Sequence, residues 1–167
     1  MLFVLGALAA LFAPEISRYR AERRLGFATG AFRGLLDRAG DPETARNIQD
    51  LGAMALSTAG SLPGDPRPWI LGGSAFLVTS QPAPALENYR EALSTGERAE
   101  IDLNLGRAFA MLQRAEDARA ALLRAGWVSP EILASLPPAA KDPILNEIER
   151  LSWQLRRGKL DAPPRLP

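Results

Sequence analysis

Apolar side chains recur along this chain at helical spacing, and no stretch shows the strict alternation that marks a half-buried strand. Leu25, Ala28, Phe32, Leu35 and Leu36 share one helical face, and Gly40 ends that segment. Asp41-Pro42-Glu43 then supplies an N-cap, a first-turn proline and an acidic residue near the positive helix end. These residues open a second helix carrying Ala45, Ile48, Leu51, Ala55 and Leu56. Gly60 to Pro68 contains two glycines and three prolines and reads as a loop. Near the C-terminus, Asp142-Pro143 predicts the start of a helix with Ile144, Leu145, Ile148, Leu151 and Leu155 on one face, closed by Gly158 just after Arg156 and Arg157. Asp161 to Pro167, with three prolines, reads as an exposed, extended tail.

The start of the chain breaks this amphipathic pattern. Met1 to Ala13 is a continuous apolar run, followed by Pro14, Glu15 and a basic flank of Arg18, Tyr19, Arg20, Arg23 and Arg24. As a helix the run reaches roughly 20 Å, against the ~30 Å of a hydrocarbon core. Three readings compete: a short anchor continuing toward Tyr19 with snorkelling arginines, a helix lying in the interface or against a partner, and a secretory signal peptide. A signal peptide wants basic residues before its apolar core, and Pro14 after Ala13 is a poor cleavage junction, so an uncleaved membrane or partner-buried helix is expected. If it spans, the positive-inside rule places the body in the cytoplasm, a periplasmic body being the alternative.

Between these ends lies an internal repeat. Shifting the chain by 33 residues aligns Gly73 with Gly106, Phe76 with Phe109, Ala85 with Ala118, Tyr89 with Leu122 and Ala92 with Ala125. The glycines would let the two helices of a hairpin approach closely, the aromatics would fill the space beside them, and the alanines would do so from the second helix. With Trp69, the residues Gly73, Phe76, Ala85, Tyr89 and Ala92 resemble the signature of a tetratricopeptide repeat (TPR), and Ala85 to Leu93 looks like its typical second helix. In the second unit Leu105, Gly106, Phe109, Ala118 and Ala125 fit, whereas Asp102 stands where the signature tryptophan would fall. Leu56 and Ala59 lie 33 residues before Tyr89 and Ala92 and extend the pattern to a preceding half-repeat.

The resemblance implies an all-α chain: a TPR-like α-solenoid of helical hairpins with flanking capping helices and an N-terminal hydrophobic helix. The division it suggests is a hydrophobic helix with basic flank over 1–24, a hairpin over 25–60, two TPR-like hairpins over 65–125, capping helices over 129–158 and a tail over 159–167. Core packing accounts for Trp69, Phe76, Tyr89, Phe109, Leu122 and the glycines without any ligand. In similar repeats the partner lies on the concave face of each first helix. Carried over by position, that groove would present Arg67, Ile70, Ser74 and Leu77, then Glu100, Leu103, Asn104, Arg107 and Met111. No lysine occurs in either hairpin and Ser74 replaces an expected asparagine, so a carboxylate clamp for peptide termini is not expected.

Composition narrows the chemistry. Histidine and cysteine are both absent, which removes imidazole bases, Ser-His and Cys-His pairs, disulfides and thiolate metal sites. Gly72-Gly73 sits inside a predicted helix and matches neither a Walker loop nor a dinucleotide fingerprint. Glu97, Glu100 and Asp102 gather at the start of the second hairpin, where the helix dipole accounts for them. Twenty basic and nineteen acidic residues nearly cancel, which disfavours nucleic acid as a partner. The expectation is therefore a non-enzymatic, membrane-associated scaffold or adaptor for a protein or peptide partner. It would carry no cofactor, metal or small-molecule substrate. The alternative is a non-catalytic structural subunit of a larger membrane complex.

Overall fold

The structure, a computed structural model, describes the backbone of residues 2–160 and 162–166 and the side chains of residues 12–160 and 162–166. Among these residues the fold is all-α, as the hydrophobic pattern predicts. The helices are α1 (Leu2–Leu35), α2 (Pro42–Leu56), α3 (Arg67–Val78), α4 (Pro82–Ser94), α5 (Ala99–Met111), α6 (Ala115–Val128) and α7 (Pro138–Arg156). Short 3₁₀ turns occupy Leu36–Arg38, Ala59–Ser61 and Pro130–Ser135. The helices divide between two compact units, Met1–Thr79 and Ser80–Pro167. That division falls inside the first predicted hairpin, leaving α3 and α4 in different units.

In the first unit α1 is one continuous helix, so the expected boundary between residues 24 and 25 does not exist as a break. Ala21, Leu25, Ala28 and Phe32 form its buried stripe and pack with Ile48, Leu51 and Ala55 of α2 and Leu71 and Ala75 of α3. The cap predicted at Asp41 is present: its carboxylate accepts from the Thr44 amide at 2.8 Å and the Thr44 hydroxyl at 2.9 Å, which holds it below the usual carboxylate range. The expected apolar character of the N-terminal segment rests mostly on residues 1–11, whose side chains lie outside the described residues. Among the described residues no helix is long and apolar enough to cross a membrane.

Small residues set the spacing of α2 against α3. A Cβ placed on Gly52 would lie 2.5 Å from the Ala75 Cβ, and one on Gly72 would lie 2.6 Å from Leu56. Within this unit α3 therefore makes its close approach to α2, through Gly72, where the repeat pattern drew attention to Gly73. The reason is local. Leu71, Gly72 and Ala75 form a face that matches Gly52 and Ala55 of α2, a complementarity that a 33-residue comparison of α3 with α5 cannot reveal.

In the second unit α5 packs on α6, α4 packs on α5, and α7 and the 130–135 turn pack on α6. Gly106 has the role predicted for it, since an added Cβ would come within 2.7 Å of Leu122 and 3.3 Å of the Ala118 carbonyl. Phe109 and Tyr89 are fully buried, and Arg114 stacks 4.6 Å above the Phe109 ring. Leu103, Leu123, Ala125, Leu133 and Ile144 form a core that continues onto α7. The last helix begins at Pro138 and not at Asp142. Pro138 occupies the first turn, where its missing N–H costs nothing, and Pro143 is accommodated inside the helix at the loss of one backbone bond. Gly158 closes it as predicted, at φ +63°, with the Lys159 amide donating to the Gln154 carbonyl at 2.9 Å and the Gly158 amide to Leu155 at 3.0 Å.

The 33-residue period is also written in the backbone. Helix α3 ends at Val78 and α5 at Met111, while α4 begins at Pro82 and α6 at Ala115. In both turns a non-glycine residue at the same repeat position takes a left-handed conformation, Ser80 at φ +61° and Gln113 at φ +59°. Such a residue costs about 1 kcal/mol. At Gln113 it completes a helix-terminating pair of bonds, from the Arg114 amide to the Phe109 carbonyl and from the Gln113 amide to the Ala110 carbonyl, both 3.0 Å.

Gly52→Ala is expected to destabilise the chain by about 1–3 kcal/mol in urea unfolding, because two methyl groups cannot occupy that helix contact. Adding Ala75→Gly should recover most of the loss. Gly26→Ala, exposed and with open space at its Cβ, should instead stabilise by up to about 1 kcal/mol.

Candidate functional site

The predicted groove residues fall in two units. On α3, Ile70, Ser74 and Leu77 are half-buried, and Arg67 is engaged in an ion-pair network. Its Nε donates to both Asp65 oxygens at 3.0 and 2.9 Å, and its Nη2 to both Glu22 oxygens at 2.9 and 3.0 Å. These carboxylates, Asp65 foremost, hold the guanidinium well above its ordinary range. Arg67 thus fastens the start of α3 to α1. On α5, Leu103 is buried in the core of its own unit and does not line a groove. Asn104 accepts from Arg107 Nη1 at 3.1 Å, Arg107 Nη2 donates to the Ser135 hydroxyl at 2.8 Å, and Met111 is exposed. Glu100 and Met111, both exposed, and the half-buried Asn104 and Arg107 are therefore what remains of the α5 half.

A second surface follows α1. Arg18, Tyr19, Arg20, Arg23 and Arg24 are all exposed. So are Phe12, Ile16 and Phe27, which the pattern of buried positions gave no reason to single out. Phe12, Ile16, Tyr19, Arg23 and Phe27 succeed one another at intervals of four, three, four and four, which places them on one stripe. Ala21, Leu25, Ala28 and Phe32 occupy the opposite side. Helix α1 therefore carries large apolar side chains on two faces, one filled by its own unit and one open, with Arg23 on the open one.

The third arrangement surrounds the start of α5. Glu97 precedes the helix, and Arg124 of α6 grips it with Nε on one carboxylate oxygen and Nη2 on the other, the latter at 2.5 Å. This bond to Arg124 holds Glu97 below the usual carboxylate range and raises Arg124. The remaining Arg124 nitrogen, Nη1, donates to the Pro164 carbonyl at 3.1 Å. Asp102 is 0% exposed; as a carboxylate it has no donor for either oxygen among the described residues, and as the neutral acid it can donate its proton to Glu97. Burial, then the negative charge of Glu97, pushes its carboxyl up to about 7, with Arg124 opposing.

Helix-dipole placement thus explains the exposed Glu100 but not its neighbours. Glu97 is an ion-pair partner, and Asp102 is a carboxyl enclosed where the repeat pattern calls for tryptophan. The chemistry of an acid near neutrality is present without access to it: the concave surface nearby is lined by Leu93, Glu97, Arg124 and the 162–166 segment, not by Asp102. Among the described residues no group of three or more acidic side chains is placed to hold a metal ion. Comparison of the chain with protein-family models, with curated proteins and with solved structures returns no match, so a functional reading rests on this geometry.

Asp102 makes stability depend on pH in a definite direction. An unfolded aspartate ionises near pH 4, whereas Asp102 in the fold keeps its proton to about 7. Between these values the native chain binds the extra proton, so stability falls as pH rises and levels off above 7. The lowered groups Asp41, Glu97, Glu131 and Glu147 contribute the opposite slope only below their ordinary values. Urea unfolding at pH 5 and pH 8 should differ by on the order of a few kcal/mol, since one pKa unit is worth about 1.4 kcal/mol. Asp102→Asn should remove most of that difference.

Proposed function

We propose that this chain is a non-catalytic scaffold that lies against a membrane through α1 and presents a pair of TPR-like hairpins to a protein or peptide partner. The observation that carries the membrane half is the open stripe of α1. Four large side chains, Phe12, Ile16, Tyr19 and Phe27, stand in solvent beside four exposed arginines. Aromatic rings seat at the boundary between headgroups and acyl chains, and arginines on the flanks reach anionic headgroups while their stems cover apolar surface. A helix with two apolar faces leaves one exposed unless a second medium covers it. The apolar sequence from Met1 to Ala13 extends the same helix toward that medium.

Support for the repeat half is the shared turn geometry at Ser80 and Gln113 and the close approach at Gly106. For the partner surface, each unit is taken by itself: in the second, Glu100 and Met111 are exposed and Asn104 and Arg107 half-buried, and in the first, Ile70, Ser74 and Leu77 are half-buried.

Vesicle sedimentation tests the membrane reading. The full chain is expected to pellet with vesicles containing acidic phospholipid. Replacing Arg18, Arg20, Arg23 and Arg24 together by glutamine should weaken binding at least tenfold, in line with about 1 kcal/mol for each basic residue near an anionic surface. Helicity should stay unchanged, because none of the four is buried. A chain that stays in the supernatant, or a variant that binds equally well, would refute the assignment.

A further inference from the structure

The C-terminal segment is not the free tail that its prolines suggest. Ala162, Pro163 and Arg165 are exposed, but Pro164 and Leu166 are half-buried, and the segment lies against Leu93, Glu97 and Arg124, with which it lines one concave surface. Arg124 contacts it through one backbone atom, the Pro164 carbonyl. We propose that the body's side of this groove, Leu93, Glu97 and Arg124, is a binding slot for extended, proline-containing peptide segments, and that the chain's own residues 162–166 are its resident occupant.

Its construction makes the groove a recognition device and not a passive resting place. Arg124 is fixed before any peptide arrives, because two of its nitrogens are committed to Glu97 and only Nη1 points to the tail. Arg124 is itself largely buried, with 18% of its side chain exposed, so the bond it offers is little diluted by water. Proline matches such a donor. It has no N–H of its own to satisfy, and consecutive prolines hold the chain extended with carbonyls directed outward, at little entropic cost on binding. Leu93 provides apolar contact beside that bond. The enclosed Asp102, which keeps its proton up to about pH 7, lies beside Glu97, so its state bears on how firmly Glu97 holds Arg124.

A tail tethered in this way competes with any segment of similar chemistry offered by another molecule. Short tethers give effective concentrations in the millimolar range, so an incoming segment must either bind better or be present at comparable concentration. The slot is therefore closed by default and opens to a stronger proline-containing ligand. It lies on α6 and the approach to α5, apart from the α5 surface formed by Asn104, Arg107 and Met111.

The absence of cysteine allows a clean test on the full chain. A dye attached at Ala162→Cys reports tail mobility through its anisotropy. The tail should be restrained in the otherwise natural sequence and released by Arg124→Gln. Glu97→Gln, which unclamps Arg124 from a loop position, should release it in part and guards against misfolding of the first variant. Arg107→Gln should have no effect. A synthetic peptide of residues 159–167, added to millimolar excess, should displace the tail saturably, and the same peptide with alanine at Pro163 and Pro164 should be at least tenfold weaker. A dye as mobile in the natural background as in Arg124→Gln, or a tail that the peptide does not displace, overturns the proposal.

Discussion

Close contact between helices at residues without side-chain bulk is the constraint on which this structure depends. Two helices can approach closely only where at least one of them presents no bulk at the crossing. Gly52 against Ala75 and Gly72 against Leu56 provide this in the first unit, and Gly106 against Leu122 provides it in the second. Gly126 extends the principle to the C-terminal elements, where an added Cβ would meet both Ile148 of α7 and Leu133 of the 130–135 turn at 2.5 Å. With the backbones this close, modest side chains such as alanine and leucine enclose Tyr89 and Phe109 completely. A chain with few aromatic residues can therefore still build full cores.

Tight packing also explains where the charged groups went. Arg67, Arg124 and Arg119 each join one helix or loop to another: Arg67 to Glu22, Arg124 to Glu97, and Arg119 to Glu147 at 3.2 Å. The pairs with exposed arginines, Arg67 and Arg119, contribute little stability on their own. The value of all three is positional, since each fixes a donor or acceptor at the edge of an apolar contact. Arg124 illustrates this, because its hold on Glu97 leaves a single nitrogen directed at the C-terminal segment. Asp102 marks the limit of the scheme. It is a carboxyl enclosed completely within the fold, and it persists by keeping its proton.

Helix α1 has a different character from the rest. Its inner stripe, Ala21 to Phe32, is an ordinary core face, and its outer stripe, Phe12 to Phe27, is largely apolar, interrupted by Arg23, and open. A simple amphipathic pattern cannot represent both. From the sequence the two merge into an unremarkable mixture of apolar and basic residues, and only the buried face of the helix tells them apart.

Much of the fold was legible before the structure. Helical spacing and the cap signals at Asp41 and Gly158 acted locally, through hydrogen bonds to residues three to five positions away, so the sequence alone determined the all-α class and several helix ends. The same holds for Gly106, whose partner helix follows directly after a short turn. Other features required distant parts of the chain to meet. The pairing of α3 with α2, the burial of Leu103 and Asp102, and the seating of Pro164 on Arg124 each depend on contacts between elements whose adjacency no local signal encodes. The physical reason is that packing partners are chosen by complementary surfaces in space. A glycine, an aspartate or a proline looks the same in the sequence whether it faces solvent or another helix.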